Sequence, residues 1–446
     1  MVAIKEGAGN GYPPPAELLQ TLLRFDTTNP PGNERAIVEY LDDLLTGDGF
    51  RTTVLARAEH RPNLVTRLPG RGEAPPLLFY GHLDVVSTEN QQWTYPPFEG
   101  RIADGCVWGR GALDMKGEVA LMLSALLRAR AAGLRPAGDV ILALMADEEV
   151  SGAYGALYLV EEHAGLFDGV RYAISEAGGF TLHLGGRRLY PIMVAEKQSC
   201  SLRATVRGRA GHGSVPLRGQ AMARLARLLV RLDRRRLPVH VTPAARQMIE
   251  AMALALPAAQ GLLLRQLLNP RLTDRVLDLL GPLGEPLNPL LHNTVSPTML
   301  RGSAQLNVIP AEVSVNLDGR LLPGFGPDDL LAELGRLLGD EVTMEVTHYE
   351  PGPPDPDMGL FDTLADILRE ADPGGHPTPL LMSGVTDARH MARLGIQTYG
   401  FTPLKLPPGL DFWHLVHAAD ERVPLDALDF GVEALYRLLE RYGLPA

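Results

Sequence analysis

Hydrophobic positions fall into two textures along this chain. In the first half, residues 76–80, 139–145 and 170–174 form nearly unbroken apolar runs. Runs of this length suit strands buried on both faces. Between the first two lies a segment, 116–132, whose apolar residues recur at helical spacing, with Gly133 placed to stop it. Strand, helix, strand in this order predicts an α/β domain with a mostly parallel central sheet flanked by helices.

The texture changes after Glu196. Residues 199–206 alternate as a half-buried strand does, and 218–232 follow as an amphipathic helix. Strand candidates at 294–305 and 312–320, a helix at 327–338 and a last strand at 341–348 complete a β-α-β-β-α-β order. A Leu- and Ala-rich insertion, about 240–292, interrupts it, and the Pro-rich stretch 351–356 reads as a linker. The expected organisation is a catalytic domain in two segments, 1–195 and 351–446. An inserted α+β domain, 196–350, stands between them, with a helical insertion of its own.

Composition narrows the function classes. Hydrophobic residues at 45% and charged residues at 21% are those of a folded globular chain. A net charge of -11 argues against nucleic acid or an anionic membrane as the main partner. The arginines at 224, 227, 231, 234, 235 and 236 sit at largely helical spacing, as on a solvated helix face. Two cysteines, Cys106 and Cys200, cannot build a disulfide framework. Residues 1–15 read as a loose arm with no apolar core of a signal peptide, and 251–264, broken by Pro257 and Gly261, is too short to span a bilayer. The expected location is cytoplasmic.

The chemistry-bearing residues follow the apolar runs. His82 and Asp84 follow the first, Glu148 and Glu149 the second, Glu176 the third. Ligands of open α/β sheets sit beyond the carboxyl ends of strands, so these side chains are placed to converge. His82 and Asp84 share a face if the backbone is extended, and a carboxylate can fix the tautomer of a metal-binding imidazole. Asp114, in the turn Gly109-Arg-Gly-Ala-Leu-Asp-Met-Lys-Gly117, lies at a helix start, where it is either a cap or a carboxylate bridging two cations. Adjacent Glu148 and Glu149 would repel at a buried strand end unless a cation offsets them. One can then bind the cation while the other takes a proton from water.

These residues lie in a series of motifs. They are Gly81-His82-Leu83-Asp84-Val85-Val86, Trp93 with Pro97-Phe98-Glu99-Gly100, Gly109 to Gly117, and Asp147-Glu148-Glu149 with Gly152. Gly211-His212, Asn307-Val-Ile-Pro310, Asp318-Gly-Arg320 before Pro323-Gly324, Thr386-Asp387-Ala-Arg389, and His417 with Glu421 continue the series. In this order the chain resembles the M20 family of metallopeptidases and deacylases. The resemblance implies a hydrolase with two divalent metal ions that cleaves an amide or peptide bond next to a free carboxylate. It implies His82, Asp114 and Glu176 on one metal, Asp114, Glu149 and His417 on the other, and a cis peptide after Asp114. Asp84 would orient His82, and Glu148 would be the general base and then the acid. His417 is preferred to His414 because it stands just before a Glu-Arg-Val segment.

By the same resemblance the inserted domain is a lid that also carries homodimer contacts. His212 and Asn307 would stabilise the oxyanion from the partner subunit, Arg320 would pair with the substrate's carboxylate, and Thr386 is a further donor to the substrate. Zinc suits the His and carboxylate donors, with cobalt or manganese as alternatives. The substrate is an N-acyl-amino acid or a peptide, so a deacylase stands beside a dipeptidase or carboxypeptidase. A binding scaffold without activity is the reading from another class. The long insertion looks like those of vacuolar carboxypeptidase and N-fatty-acyl-amino-acid hydrolase relatives. Met252, Leu254, Leu256, Leu262, Leu263 and Leu264 are therefore expected either to line an acyl pocket or to form the insertion's own core or a dimer surface.

Overall fold

Continuous apolar strands need cover on both faces, and the computed structural model, which describes residues 12–444, provides it. Nearly all of the expected N-terminal arm lies outside the described residues; Pro15 already opens a helix, Pro15–Leu23. The chain divides into two compact units. The first comprises residues up to Val194, Asp357–Leu380 and those from Thr386 on; the second comprises Ala195–Pro356 and Leu381–Val385.

The first unit is built on a large sheet. Its order is Thr52–Ala56, Pro62–Leu68, Val140–Met145, Leu77–His82, Tyr172–Ser175, Gln397–Gly400, Arg187–Glu196 and Gly375–Met382. The four strands from Val140–Met145 to Gln397–Gly400 run parallel, and antiparallel strands flank them. Parallel alignment brings the chain ends after His82, Met145 and Ser175 to the same edge. The expected helix forms over Lys116–Ala131, and it is buried nearly all round. It packs on the Leu77 strand, the N-terminal helix and the C-terminal helix Leu425–Arg441. The opposite face of the sheet, with Leu78, Tyr80, Ile141, Ala143 and Met145, packs on Ala156, Leu159 and Met391. A helix hydrophobic on every side needs such a position, because any exposed face would leave apolar surface in water.

The second unit holds a four-stranded antiparallel sheet in the order Thr294–Arg301, Glu312–Leu321, Gln198–Arg207 and Thr343–Tyr349. Helices Ala221–Arg234 and Pro327–Leu338 pack on it through Leu225, Leu228, Leu330 and Leu334. The clustered arginines of the first helix are partly or largely exposed, as on a solvated face. The insertion folds into helices Pro243–Ala255, Ala258–Arg265 and Thr273–Leu280. Its leucines do not share one surface: Leu256 and Leu264 are buried, whereas Leu254 and Leu262 are 75% and 64% exposed. Among the described residues, no helix is long and apolar enough to cross a membrane.

Gly431 lets the C-terminal helix pack closely on the central helix. A Cβ there would lie 2.6 Å from Leu121 Cδ1 and 2.8 Å from the Pro403 carbonyl oxygen. Alanine would gain up to about 1 kcal/mol of helix propensity. Overpacking against a backbone carbonyl costs about 1–3 kcal/mol, which outweighs that gain. Gly431→Ala should therefore lower the urea midpoint of unfolding with an unchanged slope; a raised midpoint would contradict this packing.

Candidate metal centre

The loop after each central parallel strand contributes to one cluster in the first unit. His82 ends its strand. Its Nδ1 lies 2.9 Å from the backbone oxygen of Asp84. A carbonyl only accepts, so Nδ1 carries a proton and Nε2 is the nitrogen left to bind a cation. That Nε2 faces Asp114 Oδ1 at 3.1 Å and Glu176 Oε2 at 3.8 Å. The other oxygen of Asp114 stands 3.0 Å from His417 Nε2, which is also 3.2 Å from Glu149 Oε2. Thus two groups of potential donors form, His82 with Asp114 and Glu176, and Asp114 with Glu149 and His417. Within each group the donor atoms lie within 4.8 Å of one another. His414 stands apart, its side chain 86% exposed and paired with Asp411 at 2.9 Å.

Electrostatics show what this arrangement lacks. Hydrogen bonds to Asp114 and Glu149 push the His417 imidazole up to about 10. Burial, then the charge of Asp114, pushes the Glu149 carboxyl up to about 7. Burial, reinforced by Glu176, raises Glu148 well above the ordinary carboxylate range. Glu149 Oε1 is buried and has no hydrogen-bond partner among the described residues. All of these describe a pocket with too little positive charge, which a divalent cation at each donor group would supply. The donor set, imidazole and carboxylate without thiolate, fits zinc and its first-row neighbours.

The structure shows what two acids of the sequence motifs hold in place. Asp84, fully buried, is 3.5 Å from His82 Nδ1 through its carboxylate, longer than the contact made by its own backbone oxygen. Its two carboxylate oxygens instead accept the backbone N–H groups of Glu148 (3.1 Å) and Glu149 (3.2 Å). Asp84 thereby holds the Glu148 loop as well as the His82 strand end. On the other side Glu421 accepts N–H groups from Leu113 (2.7 Å), Asp114 (3.0 Å) and Gly111 (3.1 Å), and the Arg110 guanidinium at 2.6 Å. These bonds set the turn that carries Asp114, and the Asp114–Met115 peptide is cis.

The expected substrate groups lie partly elsewhere. His212 and Asn307 are exposed in the second unit, on a small ribbon in which Gly213 N donates to Asn307 O at 2.7 Å. His212 Nδ1 contacts Ser214 Oγ at 2.7 Å. Arg320, in the same unit, forms a fork with Asp318 at 2.8 and 3.2 Å. Thr386 is buried in the first unit and accepts Ala388 N at 3.1 Å.

With this geometry in place, comparison with known proteins gives the family. The model of peptidase family M20/M25/M40 matches residues 78–441. The chain belongs to peptidase family M20/M25/M40. It is 27% identical over 376 residues to an N-fatty-acyl-amino acid synthase/hydrolase of Xenopus tropicalis, covering 82% of this chain and 72% of that one. It is also 27% identical over 438 residues to a succinyl-diaminopimelate desuccinylase of Paracoccus denitrificans, covering 96% and 98%. An M20 family metallo-carboxypeptidase from Sulfolobus solfataricus shares the fold with a TM-score of 0.67 at 17% identity, covering 97% of this chain and 99% of that one. Human carnosine dipeptidase 1 gives 0.66 at 16%, covering 97% and 96%. Membership makes the chain a metallopeptidase-type amidohydrolase with an α/β fold.

Glu421 and Arg110 form a fully buried ion pair. Removing one partner of such a pair strands the other charge, at about 3–5 kcal/mol. Glu421→Ala should lower the unfolding free energy of the metal-free protein by about that amount in urea titration. A loss below about 1 kcal/mol would place Glu421 at the surface instead.

Proposed function

We propose that this member of the family hydrolyses an amide or peptide bond adjacent to a free carboxylate, using two divalent metal ions, zinc by preference and cobalt or manganese as alternatives. The observation that carries the proposal is Asp114, whose two oxygens face separate donor groups, each with its own histidine. His82, Asp114 and Glu176 would hold one ion, and Asp114, Glu149 and His417 the other. When bound, the ions supply positive charge that polarises the scissile carbonyl and makes water more acidic.

The chain's own residues then do the rest. Glu148, whose backbone is tied to Asp84, takes a proton from the attacking water and returns it to the leaving nitrogen. His212 and Asn307, contributed by a second copy of the chain in a homodimer, are proposed to donate to the oxyanion as the carbonyl carbon becomes tetrahedral. Arg320, whose guanidinium matches two carboxylate oxygens, is proposed to leave Asp318 for the substrate's carboxylate, with Thr386 as a further donor. The acyl side is left to an N-acyl group or an amino acid, in keeping with the deacylase and dipeptidase names among the relatives.

The test pairs metal analysis with an amidase screen of N-acyl-amino acids and dipeptides, each with and without the free carboxylate. Wild type should carry close to two metal ions per chain and hydrolyse only carboxylate-bearing substrates. Glu148→Ala should keep the metal and lose roughly 10²–10⁴-fold in kcat, the range for a general acid–base group. A wild-type protein that binds no metal and stays inactive after zinc or cobalt is added would instead favour a binding scaffold.

Arg320→Ala gives a separate check. A hydrogen bond to a charged group is worth about 1.5–3 kcal/mol, so KM should rise roughly 10- to 150-fold with a smaller change in kcat. An unchanged KM would remove Arg320 from carboxylate binding.

A further inference from the structure

Behind Asp84, away from the metal donors, lies a buried polar chain that the reaction scheme leaves unused. Asn29 is 5% exposed. Its backbone N–H donates to Val85 O at 2.9 Å, and Thr28 bridges to Val85 as a parallel extension of the His82 strand. Backbone pairing thus seats the side chain beside Asp84. The single amide nitrogen Nδ2 donates both hydrogens to carboxylates, to Asp84 Oδ2 at 2.8 Å and to Asp147 Oδ1 at 3.0 Å. Asp147 directly precedes the Glu148–Glu149 pair. Its φ of 72° lies in the left-handed region, costly for a residue with a side chain. That conformation is held from several sides. Ser151 Oγ donates to Asp147 Oδ2 at 2.8 Å, Gly152 N donates to its backbone oxygen at 2.6 Å, and Arg61 Nη2 reaches Oδ1 at 3.3 Å.

Arg61 is itself fixed. It is 3% exposed and forms a fork on Glu34 at 2.6 and 2.9 Å, while Gly32 packs so closely that a Cβ would fall 2.2 Å from the guanidinium carbon. Gly32 also holds φ at 75°, so this position is restricted to glycine twice over. A buried ion pair of this kind is a weak source of stability, because the desolvation of both ions offsets their attraction. Its effect here is geometric: it directs a fixed positive charge at Asp147.

We infer that Asn29 is a positioning residue of the hydrolytic centre, coupling the Asp84 carboxylate to Asp147 and so fixing the directions of Glu148 and Glu149. Asp84 receives the N–H groups of both glutamates, and Asp147 sets the turn before them. Without Nδ2 no donor would link the two carboxylates; Asp147 Oδ1 would keep only the longer Arg61 contact, and the repulsion between the acids would loosen the loop. Asparagine is the fitting residue type. It gives two hydrogens without a charge, so it bridges two acids without adding a cation beside the metal donors. The inference rests on the metal-hydrolase reading above.

The test uses the full chain as Asn29→Ala and Asn29→Ser, with Tyr190→Phe as control. The Tyr190 hydroxyl donates to Asp372 at 3.0 Å and shares no partner with this network. Thermal stability, Co²⁺ titration with the visible spectrum of the loaded protein, and kcat and KM are measured for each. Groups that orient metal ligands typically change metal affinity or activity 10- to 100-fold, so Asn29→Ala should lose roughly that factor in Co²⁺ affinity and in kcat. Its Co²⁺ spectrum should shift, and KM should stay within about threefold. Asn29→Ser, with one donor left, should fall between, and Tyr190→Phe should lose thermal stability alone.

Wild-type Co²⁺ affinity and spectrum in a folded Asn29→Ala protein would overturn the inference. So would equal losses in Tyr190→Phe at a matched fall in melting temperature. If Asn29→Ala does not fold, Asn29→Ser is judged by the same criteria. A wild-type chain that binds no Co²⁺ would instead overturn the hydrolase reading on which the inference rests.

Discussion

The structure is organised around a concentration of negative charge at one buried sheet edge. Asp84, Asp114, Asp147, Glu148, Glu149 and Glu176 all stand there, on loops after parallel strands or, for Asp114, on the turn before the central helix. In a low-dielectric interior such a cluster either takes up protons or is matched by donors and cations. The fold matches some of these acids permanently. Asp84 is met by two backbone N–H groups and Asn29, and Asp147 by Asn29, Arg61 and Ser151. Among the described residues, the side chains of Asp114, Glu149 and Glu176 face histidines, and one oxygen of Glu149 has no partner. The division is physical: acids satisfied by the protein hold the backbone, and acids left short of positive charge are those suited to metal ions.

Much of this was legible in the sequence. The apolar runs at 76–80, 139–145 and 170–174 became Leu77–His82, Val140–Met145 and Tyr172–Ser175, because burial on both faces leaves no polar position to blur the pattern. The strand Gln198–Arg207 alternates buried and half-buried positions along its length, which is why its period-2 signal could be read. The flanks of the large sheet carry a weaker signal. Thr52–Ala56 has no buried residue, so nothing in its hydropathy separates it from a loop. The order of the strands is also absent from local pattern, since it depends on which crossovers pack.

The positioning groups were missed for a different reason. Asn29 lies in an Asn-Pro-Pro-Gly segment that reads as a turn, and its partners at 84 and 147 are 55 and 118 residues away. Arg61 meets Asp147 across 86 residues. Such pairings become visible only when the parallel sheet brings the loops together. One clue was present: Asp147 extends the Glu148-Glu149 pair to three consecutive acids. Of three adjacent acids at a buried strand end, at least one must be satisfied by the protein itself if the others are to serve a cation.

The same division bears on how reaction and substrate are encoded. Attack of water on an amide carbonyl makes the same demands whether the acyl group is short, long or amino-bearing: positive charge at the oxygen, a base near the water, and a donor for the leaving nitrogen. In the proposed function the metal ions and the base stand on the strand-end loops of the first unit, and only the oxyanion donors come from the second. These demands place no constraint on the acyl group, and two relatives at 27% identity bear names for different substrates. Selectivity must come from contacts outside the metal centre, made to parts of the substrate that do not react. The insertion answers to a different pressure from the strand ends, with Leu256 and Leu264 closing its own core while Leu254 and Leu262 stay in contact with water. Packing constrains the buried leucines of the insertion, and its exposed ones are under no such constraint.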